Sequence, residues 1–367
     1  MSRSVLHLTQ PVDGGVAVVV AGLAADQHSR GWRVLVGAPD HGPMRGWLRK
    51  AGLEHATWEA GRGPGLRTLG EIRRARALIA RFAPDLVHLH ASTAGLAGRA
   101  ALRGRLPTVF QPHAWSFEAV EGTMRRAALA WERRAARWAD VILCVSEAER
   151  DRGERAGLRG KFAVVPNGVD LDGAPEVREE ARAALGLGRG PLAVVIGRLA
   201  RQKGQDLLLG AWPAVRERVP DAALALVGDG PERGRLEAMG VASATFAGDR
   251  QDVPRWLAAA DVVVAPSRWE GMSLAVLEAM AASRPVVATD VPGMREALGS
   301  GTGALVAPGD AGALAEAVAM RLADPPLAER EGREGRRRAE ERHDIRRTRA
   351  AVVRVYEELL GAQPAAE

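Results

Sequence analysis

The sequence predicts an α/β protein made of two doubly wound parallel-sheet domains. Three observations carry this. The 367 residues are 47% hydrophobic and 26% charged, an ordinary globular composition at a length that favours two cores over one. Short β-branched runs alternate with longer helical patterns, which is the signature of parallel βαβ units. After a Pro/Gly-rich stretch at residues 170–191, the same alternation begins again.

In the first half the strand candidates are residues 4–9, 32–38, 86–90, 108–111, 141–145 and 162–165, with amphipathic stretches at 15–29, 66–81 and 123–138. In the second half they are 193–196, 223–227, 244–246, 262–265, 286–288 and 304–306. ADVILCVSE (139–147) and ADVVVAPSR (260–268) look alike, which hints at one architecture used twice, although any buried parallel strand reads this way. DLDGAP (170–175) and GLGRGP (186–191) bracket a short helical piece and mark the linker region. The expected domains are therefore 1–170 and 171–344, followed by an amphipathic helix at 345–362 that docks instead of standing free. Ligands of such sheets bind beyond the C-terminal strand ends, so two domains facing each other would line a central cleft.

Composition narrows the function classes. The single cysteine, Cys144, excludes a disulfide framework and makes a reduced, cytoplasmic setting the default. No apolar run reaches the ~18 residues of a membrane-spanning helix. The run at 16–25 lacks the basic residues and small-residue cleavage site that flank a signal segment, and it reads as the start of a buried helix.

The formal charge of +6 is unevenly spread: residues 1–170 carry 25 Lys+Arg against 16 Asp+Glu, and the remainder 26 against 29. A basic N-terminal half suits an anionic partner such as a phosphate or a lipid headgroup, and equally a solvated arginine-rich surface. Only Lys50, Lys161 and Lys203 are lysines, so a point charge is retained at few places. One tyrosine, and tryptophans set in helical patterns, argue against a nucleic-acid surface.

Five stretches fall at expected strand ends. Gly14-Gly15 lets the backbone approach an anion at a helix N-terminus, or is a plain tight turn. GRLARQKGQD (197–206) places Arg198 and Lys203 just past a strand, a bidentate fork and a mobile point charge suited to a diphosphate. Two such cations are also common on surfaces. VGDGPERG (227–234), with Asp249 further on, imitates a dinucleotide fingerprint, but its glycine spacing is one residue too long and it lies mid-domain. His113 follows another strand, where a histidine is structural unless the strand end borders a ligand.

The fifth stretch is EGMSLAVLE (270–278). Glu270 lies in a loop, Ser273 is the expected helix cap, and Glu278 sits on that helix. If the whole segment were helical, the carboxylates would stand about 12 Å apart axially, beyond the roughly 5–9.5 Å of paired hydrolytic acids. Each glutamate more naturally takes hydroxyls from a different part of one long polyhydroxylated ligand, with the amides of 272–274 between them.

In this order, the Gly-Gly loop, His113, PNGVD (166–170), GRLARQKG, VGDGP and the paired glutamates resemble the family-4 retaining glycosyltransferases of the GT-B fold, over residues 4–360. The resemblance implies an N-terminal Rossmann-like domain for the acceptor, a C-terminal one for the donor, and a final helix crossing back onto the first. It implies transfer of a hexose-type sugar from a nucleotide diphosphate sugar, UDP-linked in preference to GDP-linked, with retention at the anomeric carbon. The acceptor would be a hydroxyl on a lipid-linked, glycan or small-molecule substrate, and neither metal nor cofactor would be needed.

Carried over by motif, Arg198 and Lys203 would hold the diphosphate and stabilise the leaving group. Glu270 would contact the sugar hydroxyls and Glu278 the ribose, with Gly271, Met272, Ser273 and Leu274 completing the sugar pocket. Gly15, beside Gly14, would approach the diphosphate, His113 would lie near the sugar, and Arg250 and Gln251 would border the base. The family often has Gly-Phe-Gly where this chain has Gly271-Met272-Ser273, which leaves the sugar open. Asp170-Leu171-Asp172 has the form of a metal-binding triplet but belongs to the linker, so no metal is assigned to it.

Two other readings stay in view: an epimerase or phosphorylase on the same scaffold, and a nucleotide-sugar-binding regulator without turnover. The helix at 66–81 carries Arg67, Arg73, Arg74, Arg76 and Arg81, so it faces either anionic lipid at the inner side of a membrane or water. Acceptor choice would belong to the loops at 42–46, 61–65 and 115–122.

Overall fold

The computed structural model describes residues 3–61, 63–173 and 176–361. Ala174 and Pro175 of the expected linker, Arg62 of the loop at 61–65 and Ala362 of the expected last helix lie outside the described residues. The chain divides into two compact units, Met1–Pro166 with Arg346–Glu367, and Asn167–Ile345.

The first unit holds β1 (Ser4–Thr9), β2 (Arg33–Ala38), β3 (Glu54–Thr57), β4 (Leu86–His90), β5 (Thr108–Gln111), β6 (Val141–Cys144) and β7 (Phe162–Val164). All pair in parallel, in the order β3-β2-β1-β4-β5-β6-β7. Alternate residues feed opposite cores. Leu6, Leu8, Val87 and Leu89 join the cluster of Ala75, Leu78, Ile79, Ala94 and Ala97. Val5, Val34 and Leu86 join Val20 and Leu23 of the helix Gly14–Ser29 and Val352, Val353 and Tyr356 of the helix Ile345–Gly361. That burial on both faces is why the strands read as continuous apolar runs. Strand β3 escapes sequence reading because EHAT is an edge strand that buries only Ala56.

The second unit holds β8 (Leu192–Ile196), β9 (Ala223–Val227), β10 (Ala244–Gly248), β11 (Val262–Ala265), β12 (Val286–Thr289) and β13 (Gly303–Val306). They form one parallel sheet in the order β10-β9-β8-β11-β12-β13. Both sheets are doubly wound, but the two similar segments are not equivalent. ADVVVAPSR contains β11, beside the first strand of its sheet, whereas ADVILCVSE contains β6, two strands beyond β4, which holds that place. The likeness is the common composition of buried parallel strands.

The chain leaves the first unit after Pro166, four residues ahead of the expected boundary. Val169 forms a parallel bridge with Asp344: its N–H donates to His343 O at 2.7 Å and its carbonyl accepts from Ile345 N–H at 3.1 Å. These bonds tie most of PNGVD into the second unit. The stretch expected as a helix at 66–81 is the helix Thr68–Phe82, ended by Ala83 in the left-handed region.

Candidate functional site

In each sheet the strand order reverses at one point, between β1 and β4 and between β8 and β11. The loops leaving the paired strands there diverge and open a crevice, the usual ligand position of such sheets. The predicted residues of the second unit gather at the loops after β8 and β11, except Arg250 and Gln251, which follow β10.

After β8, the backbone turns at Gly197 and runs through Arg198 to the short 3-10 turn Arg201–Lys203. Gly204, at φ 65°, then starts the helix Gln205–Arg218. After β11, the loop passes Ser267 and Glu270 before the helix Leu274–Ala281. The two loops are stitched together. Arg268 N–H donates to Gln202 O at 2.7 Å, Gln202 Nε2 donates to Trp269 O at 3.0 Å, and the Arg268 guanidinium forks onto Asp206 at 2.9 and 2.8 Å.

At the centre, Lys203 Nζ donates to Glu270 Oε1 at 2.6 Å, and Ser267 Oγ donates to the same oxygen at 2.9 Å. The Glu270 side chain is 8% exposed and that of Lys203 23%, so the carboxylate is enclosed while the ammonium still reaches solvent. Glu278 lies one turn into the helix Leu274–Ala281 and is partly exposed. The protein around its carboxyl raises its pKa by desolvation, and the positive charge of Lys203 acts against that rise. One ammonium therefore acts on both glutamates.

Ser273 occupies the position before the first helical residue with extended backbone, but its hydroxyl makes no capping bond, contrary to the expected cap. The neighbouring Met272 carbonyl is held by Asn167 Nδ2 at 2.9 Å.

The first two glycines of VGDGPERG answer to packing, whereas a Cβ on Gly234 would meet open space. A Cβ on Gly228 would stand 2.2 Å from Gly197 O, and one on Gly230 would stand 2.3 Å from Leu199 O. The loop after β9 thus lies directly on the backbone of the Arg198 loop, which only glycine permits. Arg198 itself is exposed, its carbonyl held by Gln205 Nε2 at 2.9 Å. Arg250 is exposed and forks onto Asp252 at 2.8 and 2.7 Å; Gln251 is exposed beside it.

In the first unit, Gly14 (φ 66°) and Gly15 open the helix Gly14–Ser29, both exposed, at the end of β1. His113 follows β5 with φ 56°, and Ala114 has φ 137°, two successive non-glycine residues at positive φ. That costs of order 1–3 kcal/mol each and is characteristic of functional sites. The His113 ring is half-buried and reaches His90 Nδ1 through Nε2 at 3.1 Å.

Several participants were missed by sequence reading: Ser267, Gln202 and Asn167, which hold the glutamate loop, and His7, His88 and His90, fully buried on β1 and β4. The histidines had a readable signal, since His88-Leu89-His90 repeats a polar residue on one face of a buried strand.

The family description "Glycosyltransferase Family 4" matches residues 13–172, and "Glycosyl transferases group 1" matches residues 190–324. A GDP-mannose-dependent alpha-(1-6)-phosphatidylinositol monomannoside mannosyltransferase of Mycobacterium tuberculosis is 35% identical over 284 residues, 72% of this chain and 73% of the relative. The chain belongs to the family-4 glycosyltransferases.

The Mycolicibacterium smegmatis protein of the same description is 39% identical to this family-4 glycosyltransferase over 223 residues. That match covers 56% of this chain and only 58% of the relative. Among solved structures, HepE of Anabaena in complex with UDP and glucose has a TM-score of 0.84 at 24% identity, covering 97% of this chain and 100% of that one. The likeness shows the fold, and the two parallel-sheet domains are those of a GT-B protein. No helix among the described residues is long and apolar enough to cross a membrane.

Proposed function

We propose that the chain is a retaining glycosyltransferase that moves a hexose from a nucleoside diphosphate sugar to a hydroxyl acceptor, without a metal. The observation that carries this reading is the Lys203–Glu270 pair at the reversal point of the second sheet, with Glu278 within the field of the same ammonium. A cation beside two hydroxyl-accepting carboxylates suits a ligand that joins a diphosphate to two sugars. Lys203 and Arg198 take the diphosphate and stabilise charge on the leaving group, a term whose removal typically costs 10²–10³ in rate. Glu270 accepts from the hexose and Glu278 from the ribose. Met272, Ser273 and Leu274, at the start of a helix, offer amides to polar oxygens. On the first unit, His113 takes a ligand hydroxyl and Gly14-Gly15 an anionic group of a ligand; on the second, Arg250 and Gln251 border the base.

Two relatives are described as GDP-mannose-dependent, which supports testing GDP-mannose beside the UDP-hexoses. The test is a thermal-shift panel with GDP, UDP, ADP and their sugar conjugates, followed by transfer assays and anomeric analysis of the product by NMR. Binding to one diphosphate series, with turnover only when an acceptor is added, is expected. Product formed without acceptor would indicate an epimerase, and binding without turnover a regulator.

A peripheral membrane position at a cytoplasmic face is part of the proposal. Leu66 and Leu69 are exposed, at 104% and 69%, beside exposed Arg67, Arg73 and Arg76. An apolar tip within a basic face suits an anionic bilayer. Flotation with anionic vesicles at low salt tests it, and absence of binding there removes it.

A further inference from the structure

The geometry points to a hydrogen-bond chain from Gln27 through His7 and His90 that fixes the tautomer of His113, so that His113 offers a bare Nδ1 to a ligand hydroxyl. The offer of Nδ1 to a ligand rests on the role proposed above for His113, whereas the hydrogen-bond chain does not.

The links come from the fold of the first unit. Strands β1 and β4 are neighbours, with His7 opposite His88 and Thr9 opposite His90, so all three histidines share one face. They are wholly buried, beside a core made mostly of Val, Leu and Ala. Polar rings in such a place need partners, since burial without hydrogen bonds is costly. For His7 and His90 the partners are each other, Gln27 and His113. His7 Nε2 meets Gln27 Oε1 at 2.7 Å, His7 Nδ1 meets His90 Nε2 at 2.9 Å, and His90 Nδ1 meets His113 Nε2 at 3.1 Å. Successive ring planes are nearly parallel, at 23° and 25°, and the centroids stand 5.2 and 5.4 Å apart, the separation of rings that meet end-on through their nitrogens.

The direction follows from valence. Burial pushes His7 down to about 4 and His113 to about 3, and holds His90 well below its ordinary value, so each ring is neutral near pH 7 and carries one N–H. The Gln27 oxygen can only accept, so His7 carries its proton on Nε2 and leaves Nδ1 bare. His90 must then donate from Nε2 and accept at Nδ1, and His113 must donate from Nε2. The remaining nitrogen of His113, Nδ1, bonds to no described residue and can only accept. A substrate hydroxyl is the matching group.

A metal is the competing occupant, because nitrogens of His7, His88 and His90 lie within 4.8 Å of one another. Tetrahedral coordination at the ~2.0–2.1 Å of zinc–nitrogen bonds would hold two ligand nitrogens about 3.3 Å apart. The 2.9 Å between His7 and His90 is a hydrogen-bond distance instead. His88 flanks the chain without linking it: its ring lies against His90 with centroids 3.9 Å apart, and its Nδ1 meets the Tyr356 hydroxyl.

The test is two-bond nitrogen–proton NMR on protein with ¹⁵N-labelled histidine at pH 7.5, with His113 assigned by loss of its signals in His113→Gln. His113 protonated at Nε2 is expected in the unaltered chain, and protonation at Nδ1 overturns the proposal without any variant. Gln27→Met removes the acceptor that orients the chain; His113 should shift to the Nδ1–H form or a mixture. An unchanged His113 spectrum in a folded Gln27→Met protein also overturns it. Metal analysis of protein purified without chelator is run in parallel, and stoichiometric metal bound to the unaltered chain would refute the hydrogen-bond chain. Where a donor has been found, Gln27→Met should lower kcat/KM about tenfold at unchanged Tm within a few degrees. Absence of transfer with every donor counts against the proposed function and leaves the NMR result standing.

Discussion

Lys203 Nζ lies 2.6 Å from Glu270 Oε1, an oxygen that also accepts from Ser267 at 2.9 Å. The lysine is thus held at the sheet's reversal point by a carboxylate that keeps a neutral donor if the lysine is lost. Lys203→Ala should lower kcat by about 10²–10³, the usual cost of removing one stabilising group from a developing anion, with Tm little changed. Steady-state transfer kinetics check this; unaltered kcat would remove Lys203 from the chemistry.

Glu278→Ala should act on donor affinity. Losing a charge-assisted bond worth about 1.5–3 kcal/mol weakens donor binding some 10- to 100-fold, with kcat changed less. Glu270→Gln should do the reverse and lower kcat more than affinity. Calorimetry with donor and rate measurements on both variants separate the two roles.

Gly228→Ala and Gly230→Ala should destabilise by more than about 2 kcal/mol, because a Cβ would press on backbone atoms 2.2 and 2.3 Å away. Urea unfolding measures it. A stable Gly228→Ala protein would mean that the loops after β8 and β9 are not pressed together as described.

Acid should unfold this protein early. The buried histidines have lowered pKa values in the folded chain, about 4 for His7, while in the unfolded chain they take up protons near 6.5. Their contribution is complete above pH 6.5 and is lost as pH falls toward 4, at about 1.4 kcal/mol per histidine per pH unit. Glu149 opposes this: burial pushes it to about 7, so its term favours the fold at low pH and fades as pH rises from 4.5 to 7. Three core histidines outweigh one glutamate. Tm should therefore drop steeply between pH 6.5 and 5, and His7→Gln should reduce the slope; a flat Tm would contradict the neutral cluster.

Much of the molecule was legible from its residues because two kinds of signal are local. Among the described residues, the apolar runs of buried parallel strands marked twelve of thirteen strands, and β3, an edge strand with one buried side chain, gave too little pattern. The motifs after β8 and β11 were legible because strand ends fix where loops emerge. What each glycine of VGDGP does was not legible, since its reason is the backbone of another loop, distant in sequence.

The sequence by itself determined two doubly wound domains, the family, and which residues stand at the strand ends. Tertiary structure alone decided which side chains meet. It set one ammonium beside Glu270 and within the field of Glu278, moved the domain boundary to Pro166 through the Val169–Asp344 bridge, and joined Gln27, His7, His90 and His113. Periodicity records which face of an element is buried, whereas a hydrogen bond between residues far apart in sequence depends on strand order and register, which no local pattern carries.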